Sequence, residues 1–348
     1  MTTPYTGLPG RQFWSTGVRP FTSSDVEGIY TPKWPIAGLR IATAGSCFAQ
    51  EISKALKARK FDVIDVEPTP YGVPPKVAAR YGYGLYSARH GNIYTSSHLL
   101  QLTKEALGQI TIPPDIYVIE HEGRYYDALR PTVEPEGLPN LDEVIEQRYN
   151  HLASFKLLLE TCDLFIFTLG LTEGWFHRST GTAYQSTPGV SAGVFDHSQH
   201  MFKNLRFNEI MRDMLEFRKL LKKTNPTAKM LLTVSPVPLV ATAVERHVLV
   251  STVRSKSVLR AVAGELAETL SDVDYFPSYE LLSTPFLGKP LFEENKRSVT
   301  KDGVQTVMRA FFQAHDANTL SDQPKNEPVK TEEELVCEDA LLEAFAPQ

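Results

Sequence analysis

Cysteine is scarce in this chain: Cys47, Cys162 and Cys337 are the only three among 348 residues. Three thiols cannot build a disulfide framework, and none is spaced as a metal ligand, so a reducing, cytoplasmic setting is expected. Long apolar runs are missing as well. No stretch approaches the roughly 18 residues of a membrane span. The first twenty residues are polar and carry Pro and Gly instead of the basic-then-apolar layout of a secretion leader, so none is expected. There is also no clustered Lys/Arg stripe. The formal charge is −5, but residues 316–348 hold nine acidic residues against two lysines, which leaves the rest of the chain at +2. A near-neutral body without a basic stripe gives no reason to expect a nucleic-acid partner.

What is present is an apolar fraction of 42%, enough to bury a large core. Residues 1–36 are rich in Pro, Gly, Ser and Thr and are expected to form an extended arm. A short strand follows over 39–44, a turn at Gly45-Ser46, a helix over 48–60 with Phe48, Ile52 and Leu56 on one face, and a second strand over 61–66. Two loop-rich insertions occupy 67–140 and 171–206. The first carries a helix near 96–107 and a hairpin near 117–126. Buried strands are expected at 162–170, 229–235 and 273–276, and helices at 141–160, 208–223, 251–270 and 300–315. The alternation of strand and helix predicts an α/β fold with a doubly wound, mainly parallel sheet, spanning 37–315 and carrying long loop insertions. Ligands of such sheets bind outside the carboxyl ends of the strands, here after Ala44, Leu169 and Val234.

Ser46 stands at the first of those ends. A glycine before it permits a tight turn, and the helix after it points its first N–H groups toward the hydroxyl. That is where a nucleophilic serine sits in α/β enzymes. The plainer reading is a helix N-cap. Cys47 is the rival nucleophile, and Phe48 beside it favours a packed thiol.

The run Gly45-Ser46-Cys47-Phe48-Ala49 resembles the signature of the GSCFA family, a bacterial branch related to SGNH-type hydrolases and acyltransferases. Further blocks resemble it too: Gly91-Asn92-Ile93-Tyr94-Thr95, Asp127-Ala-Leu-Arg130-Pro131, Phe167 through Glu173-Gly174-Trp175, Thr233-Val-Ser-Pro236-Val-Pro238, and Arg246-His247-Val248 followed by Ser255-Lys256. The resemblance covers about residues 10–315. It implies an SGNH/flavodoxin-like fold, with Ser46 as the acyl-accepting nucleophile and its own N–H in the oxyanion hole beside that of Gly91. Where an SGNH enzyme places an oxyanion Asn, this chain reads Gly170-Leu171-Thr172, so Thr172 or Asn92 would substitute. The family's Asp-x-x-His dyad is replaced by Asn295 and Ser298. Asn carries no charge to stabilise an imidazolium, and Ser298 is no general base at neutral pH.

Among other histidines, His247 lies in a loop on the expected active-site side, and Glu173 could orient it. Lys256 and Arg254, near the start of the helix after His247, and Arg130 form a set of cations suited to the phosphates of a nucleotide-like acyl donor or to an acidic sugar. Asp127 and Arg130 equally suit a structural ion pair. His197 and His200 lack a third ligand for a metal and read as a solvated loop, as do His90 and His98.

Two functions follow from these readings. One is a serine esterase or O-acyltransferase acting on a carbohydrate or related acyl ester through Ser46. It would need no bound cofactor, with acyl-CoA or another acyl donor as co-substrate. The other is an impaired SGNH-fold protein that binds a ligand or a protein partner. Residues 316–348 are expected to be a disordered acidic tail in which Leu335, Leu341, Leu342 and Phe345 share one helical face suited to a partner's groove.

Overall fold

The computed structural model describes residues 2–288, 290–315 and 338–346. They divide into two units. The larger comprises Gly38–Tyr275 and the C-terminal residues 338–346; the smaller joins residues 2–37 to 276–315. The first boundary, after Ala37, lies beside the expected one at 36, and residues 276–315 group with the N-terminal residues.

The larger unit is built on strands β1 (Ile41–Gly45), β2 (Val118–His121), β3 (Arg124–Asp127), β4 (Leu164–Leu169), β5 (Glu173–His177), β6 (His200–Asn204), β7 (Lys229–Val234) and β8 (Val273–Tyr275). Strands β1, β4, β7 and β8 form a parallel sheet in that order. Ile41 faces Leu164 and Gly45 faces Thr168; Leu164 faces Lys229 and Leu169 faces Val234. Every residue of β4 is buried, as expected of a central strand covered on both faces. Helices flank the sheet and turn apolar stripes inward: Phe48, Ile52 and Leu56 from Phe48–Ala58, Ile210, Met214, Phe217 and Leu221 from Phe207–Thr224, and Leu259, Val262, Ala263 and Leu266 from Val248–Thr269. The expected α/β fold with its parallel sheet is therefore present.

On the outer side of β1, Val63 makes one parallel bridge to Ile41. The predicted strand over 61–66 is reduced to that contact, and Ser87 occupies the next stretch of the edge, exchanging bonds with Thr43. With the 61–64 segment counted as an edge, the order runs 61–64, β1, β4, β7, β8. The sheet grows outward in both directions from β1. The crevice at such a reversal lies at the carboxyl ends of β1 and β4, which are Gly45-Ser46 and Leu169-Gly170.

The hairpin β2–β3 closes through Glu122 and Gly123, both at positive φ (50° and 74°), the twist a two-residue turn requires. The insertion read as loop over 171–206 holds a second antiparallel pair, β5 with β6. Residues 178–199 separate its strands, so no short turn betrays the pairing in sequence. The helix expected from 251 begins earlier, at Val248.

In the smaller unit the N-terminal residues are not simply extended. They form a 3-10 turn at Gly10–Gln12 and a short helix at Trp14–Gly17. Tyr30 packs against Phe276 and His315, Trp14 against Phe286, and the side chains of Thr306 and Arg309 both donate to the Ser23 carbonyl. Of the acidic tail, residues 316–337, Leu335 among them, lie outside the described residues; Glu338–Phe345 is a 3-10 helix on which Leu341 and Phe345 are exposed. Among the described residues no helix is long and apolar enough to cross a membrane.

Gly45 sets the end of β1. Its φ is +135°, and a β-carbon there would lie 2.5 Å from the Thr168 carbonyl oxygen and 2.7 Å from its nitrogen. Gly45→Ala is expected to lower stability by about 2–4 kcal/mol through backbone collision and strain, read as a fall in the denaturation midpoint. A midpoint equal to wild type would show that the two strands separate easily here.

Candidate active site

Ser46 follows directly from that glycine. It is buried, 2% exposed, with its N–H donated to the Thr168 carbonyl at 3.1 Å. The amide that the family resemblance placed in an oxyanion hole is thus engaged with β4. The hydroxyl is different: Ser46 Oγ is buried with no hydrogen-bond partner among the described residues. It does not cap the following helix, whose N-cap position is Cys47, a buried residue. The ordinary reason for a serine at this position therefore does not apply.

Two neighbours shape the space around Ser46. A β-carbon at Gly170 would lie 2.9 Å from Ser46 Cβ and 3.0 Å from the Tyr94 carbonyl oxygen, so only glycine fits against the serine. Tyr94 O accepts the N–H groups of both Gly170 and Leu171, and Ile93 N–H reaches the Gly45 carbonyl at 2.8 Å. Those bonds lash the 91–95 loop to the ends of β1 and β4. Lys256, fully buried, donates to the Gly170 carbonyl at 2.8 Å. It is not a surface cation at a helix start but an interior brace one residue from Ser46.

Gly91 has φ +67° and is pressed against Gln185, whose side-chain amide donates to the carbonyls of His90 and Asn92. Asn92 Oδ1 accepts from Tyr86 and from Gln50, and the Tyr86 hydroxyl also lies 3.3 Å from the Ser46 carbonyl. The Asn92 oxygen thus supports the turn from behind. Gln50, Tyr86 and Gln185 are part of this surround, yet no short motif marks them; only their placement in the fold does.

Thr172 and Glu173 belong to a neighbouring cluster with Asn204, Thr242 and Arg254. Thr172 N–H donates to Ser255 Oγ at 3.0 Å and its hydroxyl to Asn204 Oδ1 at 2.8 Å, while Arg254 bonds both Thr172 and Asn204. Glu173 accepts from the Thr242 hydroxyl at 2.8 Å and from the Ala243 amide. Burial raises its carboxyl above the usual range against the pull of those bonds. His247 is exposed and caps the Val248–Thr269 helix, its Nδ1 accepting the Leu249 N–H at 3.1 Å. Its ring therefore acts as a cap, and Glu173 is bonded to Thr242 instead of to the imidazole.

Arg130 lies in a buried ionic chain. It donates to Asp127 at 3.1 Å and to the Arg89 carbonyl; Arg148 bridges Asp127 at 3.0 Å and Glu105. Of the two readings of Asp127 and Arg130, the ion pair is the one formed. Burial would push the Asp127 carboxyl up, but Arg148 and Arg130 outweigh it and hold it below its ordinary value. His90 and His98 are not in a solvated loop. Both are buried, and burial lowers their pKa values to about 4 and about 3, so both are neutral at pH 7. Because a carbonyl only accepts, the 2.6 Å contact of His90 Nδ1 with Gly91 O puts the ring proton on Nδ1. His151 Nδ1 meets Glu67 at 2.7 Å.

Asn295 and Ser298 close on one another in a turn of the smaller unit. Asn295 Nδ2 donates to Ser298 Oγ at 2.9 Å, and Asn295 Oδ1 accepts the N–H groups of Arg297 and Ser298. Among the described residues no group of three His, Cys, Asp or Glu is placed to hold a metal.

Arg148→Met is expected to cost about 3–5 kcal/mol at pH 7, since it strands Asp127 and Glu105 without their shared cation. The two carboxyls would then have folded-state pKa values above their unfolded ones, so the folded state takes up protons and the deficit shrinks as pH falls from 7 toward 5. Urea melts at the two pH values measure this; a deficit that is constant or grows in acid contradicts it.

No curated protein matches the chain. One solved structure similar to it is a Streptococcus pneumonia protein provisionally described as a platelet activating factor, 15% identical with a TM-score of 0.27. The match covers 44% of this chain and 64% of that one, less than two thirds of its length. The GSCFA family model matches residues 40–311, which takes in β1 with Ser46 and all of the parallel sheet. The chain belongs to the GSCFA family.

Proposed function

We propose that this protein is a serine esterase or O-acyltransferase that acts on an acylated carbohydrate or related ester through Ser46. The observation that carries the reading is the Ser46 hydroxyl: buried at the sheet's reversal point, with no partner among the described residues and capping nothing. A buried hydroxyl left unbonded costs about 1–3 kcal/mol, a cost more readily retained at a reacting group than in ordinary packing. In the proposed step Ser46 Oγ attacks the ester carbonyl carbon, and its proton passes to the departing alkoxide. Water or an acceptor alcohol then takes the acyl group. Gly91 N–H, which donates to no described residue, is the proposed oxyanion donor, while the Thr172 hydroxyl is already given to Asn204. A reducing, cytoplasmic setting and an acyl donor such as acyl-CoA are part of the same proposal.

No imidazole is bonded to Ser46, and losing the base of a serine triad costs several orders of magnitude. Turnover is therefore expected to be slow and to climb with pH by up to roughly tenfold per unit, without the plateau that a histidine of ordinary pKa imposes near neutrality. A fluorophosphonate probe should label Ser46, and Ser46→Ala should abolish both labelling and p-nitrophenyl acetate hydrolysis. Turnover undiminished in Ser46→Ala would overturn the reading.

The mutual closure of Asn295 and Ser298 favours a second reading, in which the protein binds its ligand without turning it over. That reading expects thermal stabilisation by the ligand and no covalent labelling of a fully folded sample.

A further inference from the structure

Residues 184–200, strand β2 and the residues flanking the hairpin line an open cleft of about 720 Å³, within the range of roughly 300–1,000 Å³ typical of small-molecule sites. None of the residues packed around Ser46 lines it. Its charge is informative. No lysine or arginine contributes to the wall, while Asp115 and Asp196 both do. Asp196 is held below the usual carboxylate range by its bond from Ser198, and burial lowers His200, so the aspartate is anionic and the imidazole neutral at pH 7. Phosphates and uronic acids would meet like charge on the wall, and the nearby Arg178 guanidinium, which is not part of the lining, is given to the carbonyls of His197 and His200.

The polar groups have fixed directions. The Asp196 N–H donates to His200 Nδ1 at 3.0 Å, which puts the ring proton on Nε2 and makes that nitrogen a donor. His177 Nε2 sits 3.1 Å from Gln199 Oε1, so the Gln199 amide group keeps its own N–H donors. The Asp196 carboxylate offers acceptors. Phe195 is braced by Trp175 at 5.0 Å and by His197 at 4.7 Å, and its ring lies 5.5 Å from that of His200 at an angle of 30°; Tyr184 meets His200 edge-on at 5.4 Å. Aromatic rings beside both donors and acceptors suit a pyranose, which has C–H faces and an equatorial girdle of hydroxyls.

We infer that this cleft binds a neutral sugar ring of a glycan, with Phe195 as the platform and His200, Gln199 and Asp196 reading the hydroxyls. The wall is also coupled to the serine. Gln185, between the lining residues Tyr184 and Ser186, holds the carbonyls of His90 and Asn92 and bears on Gly91, and the same loop bonds Gly45 through Ile93. The role of the cleft as the glycan subsite of Ser46 rests on the esterase or acyltransferase reading; the binding itself does not.

The test is saturation-transfer NMR and calorimetry on the full chain with maltotriose, cellotriose and triacetylchitotriose, with glucose 6-phosphate and choline as charged probes. At least one neutral trisaccharide should bind. Phe195→Ala and His200→Ala should each weaken it by about tenfold or more, a loss of roughly 1.4 kcal/mol, with wild-type circular dichroism and melting. Ser46→Ala should bind as wild type. The inference is overturned if no trisaccharide binds, if both folded variants bind normally, or if choline or glucose 6-phosphate binds in preference. Loss of sugar binding with Ser46 still reactive sinks this inference alone; sugar binding with an unreactive Ser46 sinks the enzyme reading alone.

Discussion

Gly45 has no side chain, and the backbone of Thr168 occupies the place one would take. From that approach follow the bond from Ser46 N–H to Thr168 O and the position of the serine over the end of β4. Gly170 repeats the device on the neighbouring strand, where Ser46 itself fills the space. The Tyr94 carbonyl and the Lys256 ammonium then fix Gly170 from two sides. The serine is thus held by close backbone packing among three segments. Its hydroxyl, like that of Thr168, is left without a partner among the described residues.

Behind this turn the loop-rich insertion is organised by charge. Glu105, Arg148, Asp127 and Arg130 form a buried chain in which each cation meets at least one carboxylate. Such chains contribute little net stability compared with a well-packed apolar interior, because desolvation offsets most of the attraction. What they do impose is direction: bidentate arginine contacts fix how the Ser96–Ala106 and Leu141–Thr161 helices and strand β3 meet. Arg130, which in sequence suits a phosphate, is spent on this framework.

The strands and helices of the sheet were readable because their signals are local. Leu164 to Leu169 is apolar throughout, and Phe48, Ile52 and Leu56 recur at helical spacing. The seat of Ser46 was readable too, from a glycine followed by a serine between a strand and a helix. Side-chain partners were not. Nothing near His247 in sequence indicates that its ring turns back onto Leu249, and nothing near Lys256 indicates that Gly170, 86 residues earlier, takes its ammonium. The β5–β6 pair escaped for the same reason, its two strands being joined by a long segment without turn chemistry. The cleft beside it is hidden with it, although His197 and His200 of its lining stand at a spacing that suggests a metal pair.

The parallel register has a consequence in time. Arg40 at the foot of β1 pairs with Asp163 at the foot of β4 across 123 residues, and no shorter connection closes the sheet there. Contacts of such separation carry the loop-closure cost before they return any stabilisation, so they form late. On the ribosome Ser46 emerges early, but the strand that receives its amide and the lysine that braces its neighbour come much later. When β4 is made only its β1 edge can be met; the edge that β7 takes stays open until that later strand follows, and an apolar strand with an open edge invites aggregation.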